Sequence, residues 1–114
     1  MKDTNAETQI TRGTNNIFAD LGFPDPETHL LKAQLVVRLN AVIKARSLTQ
    51  AAAAKLTGVS QPDMSRLLRG RFGDVSVERI MTMLTRLGCE IDIVVRAQEA
   101  IVPGHAIHLA AVAA

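Results

Sequence analysis

Apolar residues recur along this chain with a period near 3.6 in some stretches and near 2 in one other, and the changes of period mark out its elements. Between Asp25 and about Arg46, Leu31, Leu35, Leu39 and either Val42 or Ile43 fall three or four residues apart, which puts them on one helical stripe. Asp25-Pro26-Glu27 is a strong start for that helix: Asp caps, Pro takes the first position, and Glu faces the positive end of the dipole. At roughly 20 residues the helix would be about 30 Å long, so its N-terminal half should pack on something extra, either segment 15–23 or a second subunit. A shorter helix follows, capped by Thr49 and running through Gln50-Ala-Ala-Ala-Ala-Lys-Leu56 to a stop at Gly58. Ser60 caps a third, with Pro62 in its first turn, Asp63 completing a near-match to a capping box, and Gly70 after its end. Beyond the loop Arg71-Phe-Gly-Asp-Val75, Ser76 caps a fourth, Val77 to Leu87, with Ile80, Met83 or Met81, Leu84 and Leu87 inward and Gly88 ending it.

The period then drops to two. In Glu90-Ile-Asp-Ile-Val-Val-Arg96, Ile91, Ile93 and Val95 alternate with mostly polar neighbours on β-branched residues, which predicts a strand. A lone strand needs a partner for its backbone groups. It can pair with its copy in a second subunit, through Ile91, Ile93 and Val95, or with His105–Val112 returning after a turn at Pro103-Gly104. At the other end, Asn15-Asn-Ile-Phe-Ala-Asp-Leu21 before Gly22 predicts one or two helical turns. Residues 1–14 are polar and aperiodic, as expected of a disordered arm. The organisation expected is an arm over 1–14, one domain over 15–96, and an apolar tail over 97–114 that needs cover from an oligomer or a partner.

Composition narrows the functional classes. Hydrophobic residues make up 47% and aromatics 3%, so the core must be aliphatic, and binding modes that stack bases on aromatic rings are disfavoured. Cys89 is the one cysteine, which rules out an intrachain disulfide and fits a reducing cytoplasm. No signal peptide and no membrane-length apolar run is visible, so neither a membrane role nor export is expected. The formal charge of +2 is unevenly spread. Residues 35–96 hold ten Lys/Arg against five Asp/Glu, a net +5, while the flanks are acidic. A phosphate-facing surface requires such a concentration.

The stretch from Leu48 to Arg71 collects these signals. Ala54 lies four residues before Gly58, and Met64 and Leu67 lie six and nine after it. A small residue at the contact, a glycine in the turn and apolar residues on the second helix suit two short helices crossing steeply. This is the helix-turn-helix arrangement, whose second helix enters the DNA major groove. The words LTQ, GVSQ and SRLLRG make the sequence resemble the lambda-repressor-like (Xre) helix-turn-helix family. From Asn15 to Arg96, the opening NIFADLGF, the helix containing LLKAQL, the SVERIMTMLTRLG helix and the EIDIVVR strand are similar to HigA-type antitoxins. The resemblance implies a mainly α lambda-repressor-like bundle with a C-terminal β-strand. It further implies a cytoplasmic homodimer that binds double-stranded operator DNA, represses its own operon and neutralises a small RelE-like ribonuclease toxin. A solitary Xre-type or phage-like repressor shares the same module. A protein-interaction module with weak DNA binding is a further alternative.

Carried onto this chain, the family pattern makes Gln50 a phosphate contact at a helix N-terminus. It places Ser60, Gln61, Pro62, Ser65 and Arg66 along the DNA-facing side of the third helix, with Gln61 suited to adenine and Arg66 to guanine. Pro62 has no donor and stands where many family members carry a polar base-reader; a thymine methyl is its available contact. Arg69, Arg71, Lys44 and Arg46 are phosphate clamps. Each has a plainer reading: Gln61 as a solvated glutamine, Arg66 as the ion-pair partner of Asp63, Lys44 and Arg46 as an ordinary cationic helix end. Met64, Leu67, Met81 and Met83 are expected in the core. His105 and His108 are too few for a closed metal site, Cys89 has no local base to activate it, and no catalytic constellation or cofactor loop is present. No enzyme activity, metal or cofactor is expected.

Overall fold

The computed structural model describes residues 25–97, 99–101 and 107–110. The short helix expected over 15–21 and the arm over 1–14 lie outside the described residues. Helix α1 spans Pro26–Ala45, α2 Gln50–Thr57, α3 Gln61–Leu68 and α4 Val77–Arg86. Each begins where its cap permits. The Asp25 carboxylate accepts from Thr28 N–H at 3.4 Å, and Thr49 from Ala52 N–H at 3.0 Å. Ser60 accepts from Asp63 N–H at 3.2 Å and Ser76 from Arg79 N–H at 3.1 Å. Each cap satisfies a donor that the first turn leaves unpaired.

Helix α1 is the spine, packing against α4 and α3, while α2 packs against α3 and α4. Its stripe resolves to Leu31, Leu35, Leu39 and Ile43, all buried, with Val36 beside them and Val42 only half-buried. Leu39, Met64 and Ile80, from three different helices, are completely buried in one cluster. Met83, Leu84 and Leu87 complete the inner side of α4, and Met81 sits at the margin. The core is aliphatic and methionine-built, with Phe72 its one buried aromatic among the described residues.

The C-terminal β-strand expected over 90–96 is not seen. No described residue forms a strand. A strand exists only where its N–H and C=O groups meet another edge, and within this chain the described residues offer none. Ile91 is half-buried against the core, but Ile93, Val94 and Val95 are 77%, 66% and 90% exposed. Of the alternative return segment, residues 107–110 form no ladder with 90–96, and His105 lies outside the described residues. Instead Leu109 packs half-buried on the core, and its N–H donates to Oε1 of Gln34 at 3.1 Å. Gln34 is a buried polar residue on α1 that the apolar stripe does not announce; its Nε2 has no hydrogen-bond partner among the described residues. No helix among the described residues is long and apolar enough to cross a membrane.

Two outcomes are expected from this core. Leu39→Ala should lower unfolding stability by about 2–5 kcal/mol in urea titration, since it empties a site walled on every side. His29 stacks on Phe72 with ring centroids 4.8 Å apart, and burial, followed by the charge of Lys32, lowers its pKa. A depressed histidine favours the neutral imidazole in the folded state. Its contribution is therefore complete above the free value of about 6.5 and lost as pH falls through the lower folded value. Melting temperature should decline between pH 7 and pH 5, and His29→Leu should flatten that decline.

Candidate nucleic-acid interface

The α2–turn–α3 unit is built from two eight-residue helices, each too short to persist alone. Gly58 makes the turn, at φ +76, a left-handed conformation with little steric penalty only for glycine. The N–H of Gly58 closes onto the Ala54 carbonyl, and that of Val59 follows at 3.0 Å. Ala53 and Ala54 are buried where α2 meets its neighbours, so the small residue at the crossing has a companion. Met64 and Leu67, at 0% and 2% exposure, fix which face of α3 turns inward.

That leaves Gln61, Pro62, Asp63 and Arg66 exposed on α3 and Arg69 exposed at its C-cap, with Ser65 half-buried at the side of the face. Ser60 at the cap, Gln50 at the start of α2 and Arg71 after α3 are also exposed. The sequence-predicted groups from Gln50 to Arg71 are thus carried by one compact unit. Arg66 donates to Asp63 three residues earlier, so its ion-pair reading is realised in the free protein. Hydrogen bonds from Arg66 and then Ser60, reinforced by the charges of Arg66 and Arg79, hold the Asp63 carboxyl below the usual carboxylate range.

Lys44 and Arg46 are placed differently. Lys44 is exposed in the last turn of α1. Arg46, also exposed, reaches the Gly88 carbonyl with Nη2 at 3.5 Å, at the end of α4 opposite to Arg79. It lies so close over Gly88 that a Cβ there would sit 2.9 Å from Nη2. Arg86 performs a similar task, donating from Nη1 to the Thr57 carbonyl at 3.0 Å, where α2 ends. Asn40 reaches the Leu68 carbonyl at 3.5 Å and Lys32 the Gly73 carbonyl at 3.0 Å. These donors escape sequence reading because they act 28 to 42 residues away in the chain.

Beside α3 lies an open cavity of about 540 Å³, between α3, the 71–75 loop and the first turn of α4. Arg79 projects into it from α4. Sequence reading missed this residue, although one signal was available: a cation in the first turn of a helix opposes the dipole.

Two comparisons bear on this geometry. Residues 17–96 match the family described as a helix-turn-helix domain. A solved structure described as an XRE family transcriptional regulator is 40% identical, with a TM-score of 0.67, and the match covers 80% of this chain and 100% of that one. No curated protein matches.

Gly58→Ala is expected to reduce stability by about 1–3 kcal/mol, the range for a non-glycine residue held at left-handed φ. Its Cβ would also meet Arg86 Nη1 at 3.0 Å and disturb the cap on Thr57. Chemical denaturation of the two proteins side by side measures this.

Proposed function

We propose a function from one premise: the chain belongs to the XRE-type helix-turn-helix family of transcriptional regulators. It is a DNA-binding regulator, and recognition of double-stranded DNA is its work. The observation that carries a residue-level reading is the division of α3. Met64 and Leu67 lock its inner side, and Gln61, Pro62, Arg66 and, at its C-cap, Arg69 are exposed on the outer one. On this reading α3 enters the major groove. Arg66 addresses guanine, Gln61 adenine and Pro62 a thymine methyl, with Ser60 and Ser65 flanking them. Gln50, Arg69, Arg71, Lys44 and Arg46 hold phosphates and set the register.

The finer proposal is a homodimer that represses its own operon as the antitoxin of a RelE-like ribonuclease toxin. Two modules reading two half-sites require a dimer. The exposed backbone and side chains of Ile93 and Val95, with Ile91 at their root, supply an edge for strand pairing between copies. Exposure of Ile101 and Ile107, at 100% and 74%, supports a protein partner along the same end of the chain. The HigA-like order of motifs supports a toxin as that partner. Ile93→Lys should shift the sedimentation coefficient from dimer to monomer; a dimer that survives it assembles elsewhere.

The deciding experiment is titration of the protein on its own upstream DNA against random competitor, at several salt concentrations. Operator binding should resist the competitor and weaken steeply with salt as counterions are released. Binding no better than to random DNA would leave the protein-interaction reading, with toxin capture by apolar surface and little salt dependence. Arg66→Ala should weaken operator binding by about 1–3 kcal/mol and leave random-DNA binding nearly unchanged.

A further inference from the structure

We infer that Arg79 is a positioning residue for Arg66: it takes over the charge of Asp63 when the Arg66 guanidinium turns from Asp63 towards a base edge. The inference rests on the DNA-reading role of Arg66 proposed above. Asp63, Arg66, Arg71, Asp74 and Arg79 line the same cavity beside α3, above a floor that includes Leu67. In the free protein one of these groups is committed, because Arg66 donates to Asp63. Both side chains remain about half exposed, at 55% and 49%, so the pair can open without unpacking anything.

Opening it has an electrostatic consequence. A bidentate contact to guanine uses the fork of the guanidinium, the same fork that now faces Asp63. Once Arg66 leaves, Asp63 is an unpaired carboxylate on a helix pressed against a polyanion. Repulsion from nearby phosphates would then oppose the contact that Arg66 has just made. A second cation within reach of Asp63 removes that opposition.

Arg79 is placed for this. It stands third in α4, whose positive dipole end disfavours a cation. What offsets that local disadvantage is the acidic side of the cavity, Asp63 on α3 and Asp74 in the loop. In the free protein the charge of Arg79 acts on Asp63 only weakly, after the hydrogen bonds from Arg66 and Ser60, desolvation and the charge of Arg66. The main chain that carries Asp63 is held by the helix cap, its backbone N–H donating to the Ser60 hydroxyl, and that cap does not depend on which cation pairs with the carboxylate.

A double-mutant cycle on operator DNA separates this role from a simple phosphate contact. Arg79→Gln should weaken operator binding about tenfold, a coupling of the size seen between neighbouring charged groups, with a smaller loss on random DNA. Arg79→Lys should restore most of it. In an Asp63→Asn background, with no charge to take over, Arg79→Gln should add no operator-specific loss. An equal loss in both backgrounds, or on operator and random DNA alike, would overturn the inference in favour of a phosphate contact. A second measurement needs no DNA. NMR titration of the Asp63 carboxyl in Arg66→Ala, which mimics the departure of Arg66, should move upward when Arg79→Gln is added. An unmoved titration would overturn the hand-off. A wild-type protein without operator preference would sink the DNA reading instead, and the titration would still report on Arg79.

Discussion

The structure depends on the burial of two side chains, Met64 and Leu67, on a helix that cannot stand without them. An eight-residue helix has few internal hydrogen bonds to set against the cost of nucleation, so α3 acquires both its existence and its orientation from the cluster it enters. Leu39 of α1 and Ile80 of α4 belong to that cluster and are as deeply buried. Rotating α3 about its axis would bring Asp63 or Arg66 inward and expose Met64, exchanging apolar burial for a desolvated charge. The outer face is thus specified by the inner one. A DNA-reading surface has to be held this firmly, because a bidentate side-chain contact tolerates little displacement.

Close packing of short helices creates many helix ends, and each end leaves carbonyls without partners. Four side chains answer them here. Asn40 serves the end of α3, Lys32 the loop beyond it, Arg86 the end of α2, and Arg46 the turn after α4. The basic residues of the domain therefore divide into two kinds. Arg46 and Arg86 have backbone carbonyls within reach, whereas Arg69 and Arg71 are exposed beside α3. Arg46 and Arg86 thus tie helix ends together as well as adding to the net charge of the module.

Local chemistry was legible in the sequence and remote chemistry was not. All four caps, Asp25, Thr49, Ser60 and Ser76, act on the residue three positions ahead, within reach of pattern reading. The buried stripe of α1 and the inner side of α4 follow from period alone. The turn at Ser47, with φ +53, had no glycine to announce it. Gln34 interrupts an apolar face without changing its period, and Arg86 is capped onto a carbonyl 29 residues away. The alternation of Ile91, Ile93 and Val95 states a preference for extended pairing, but pairing needs a second edge, and a single chain's periodicity cannot supply one. Within the candidate interface, spacing was enough to find Arg66 and its partner Asp63, three residues apart. Finding Arg79 required the fold, because only the packing of α1 and α2 against both α3 and α4 brings it beside them.

These two scales meet at Asp63. As a local feature it helps begin α3, at the third position where an acidic residue favours the helix dipole. As a tertiary feature it faces a cavity lined by three arginines on two helices and a loop. Were α3 to face DNA as proposed, an unneutralised carboxylate on it would be unfavourable in the phosphate field, while removing it would weaken the start of the helix. Retaining Asp63 and surrounding it with cations resolves the conflict. It also ties the start of α3 to Arg66, the cation bonded to Asp63 in the free protein and the one to which the proposed function gives a second use.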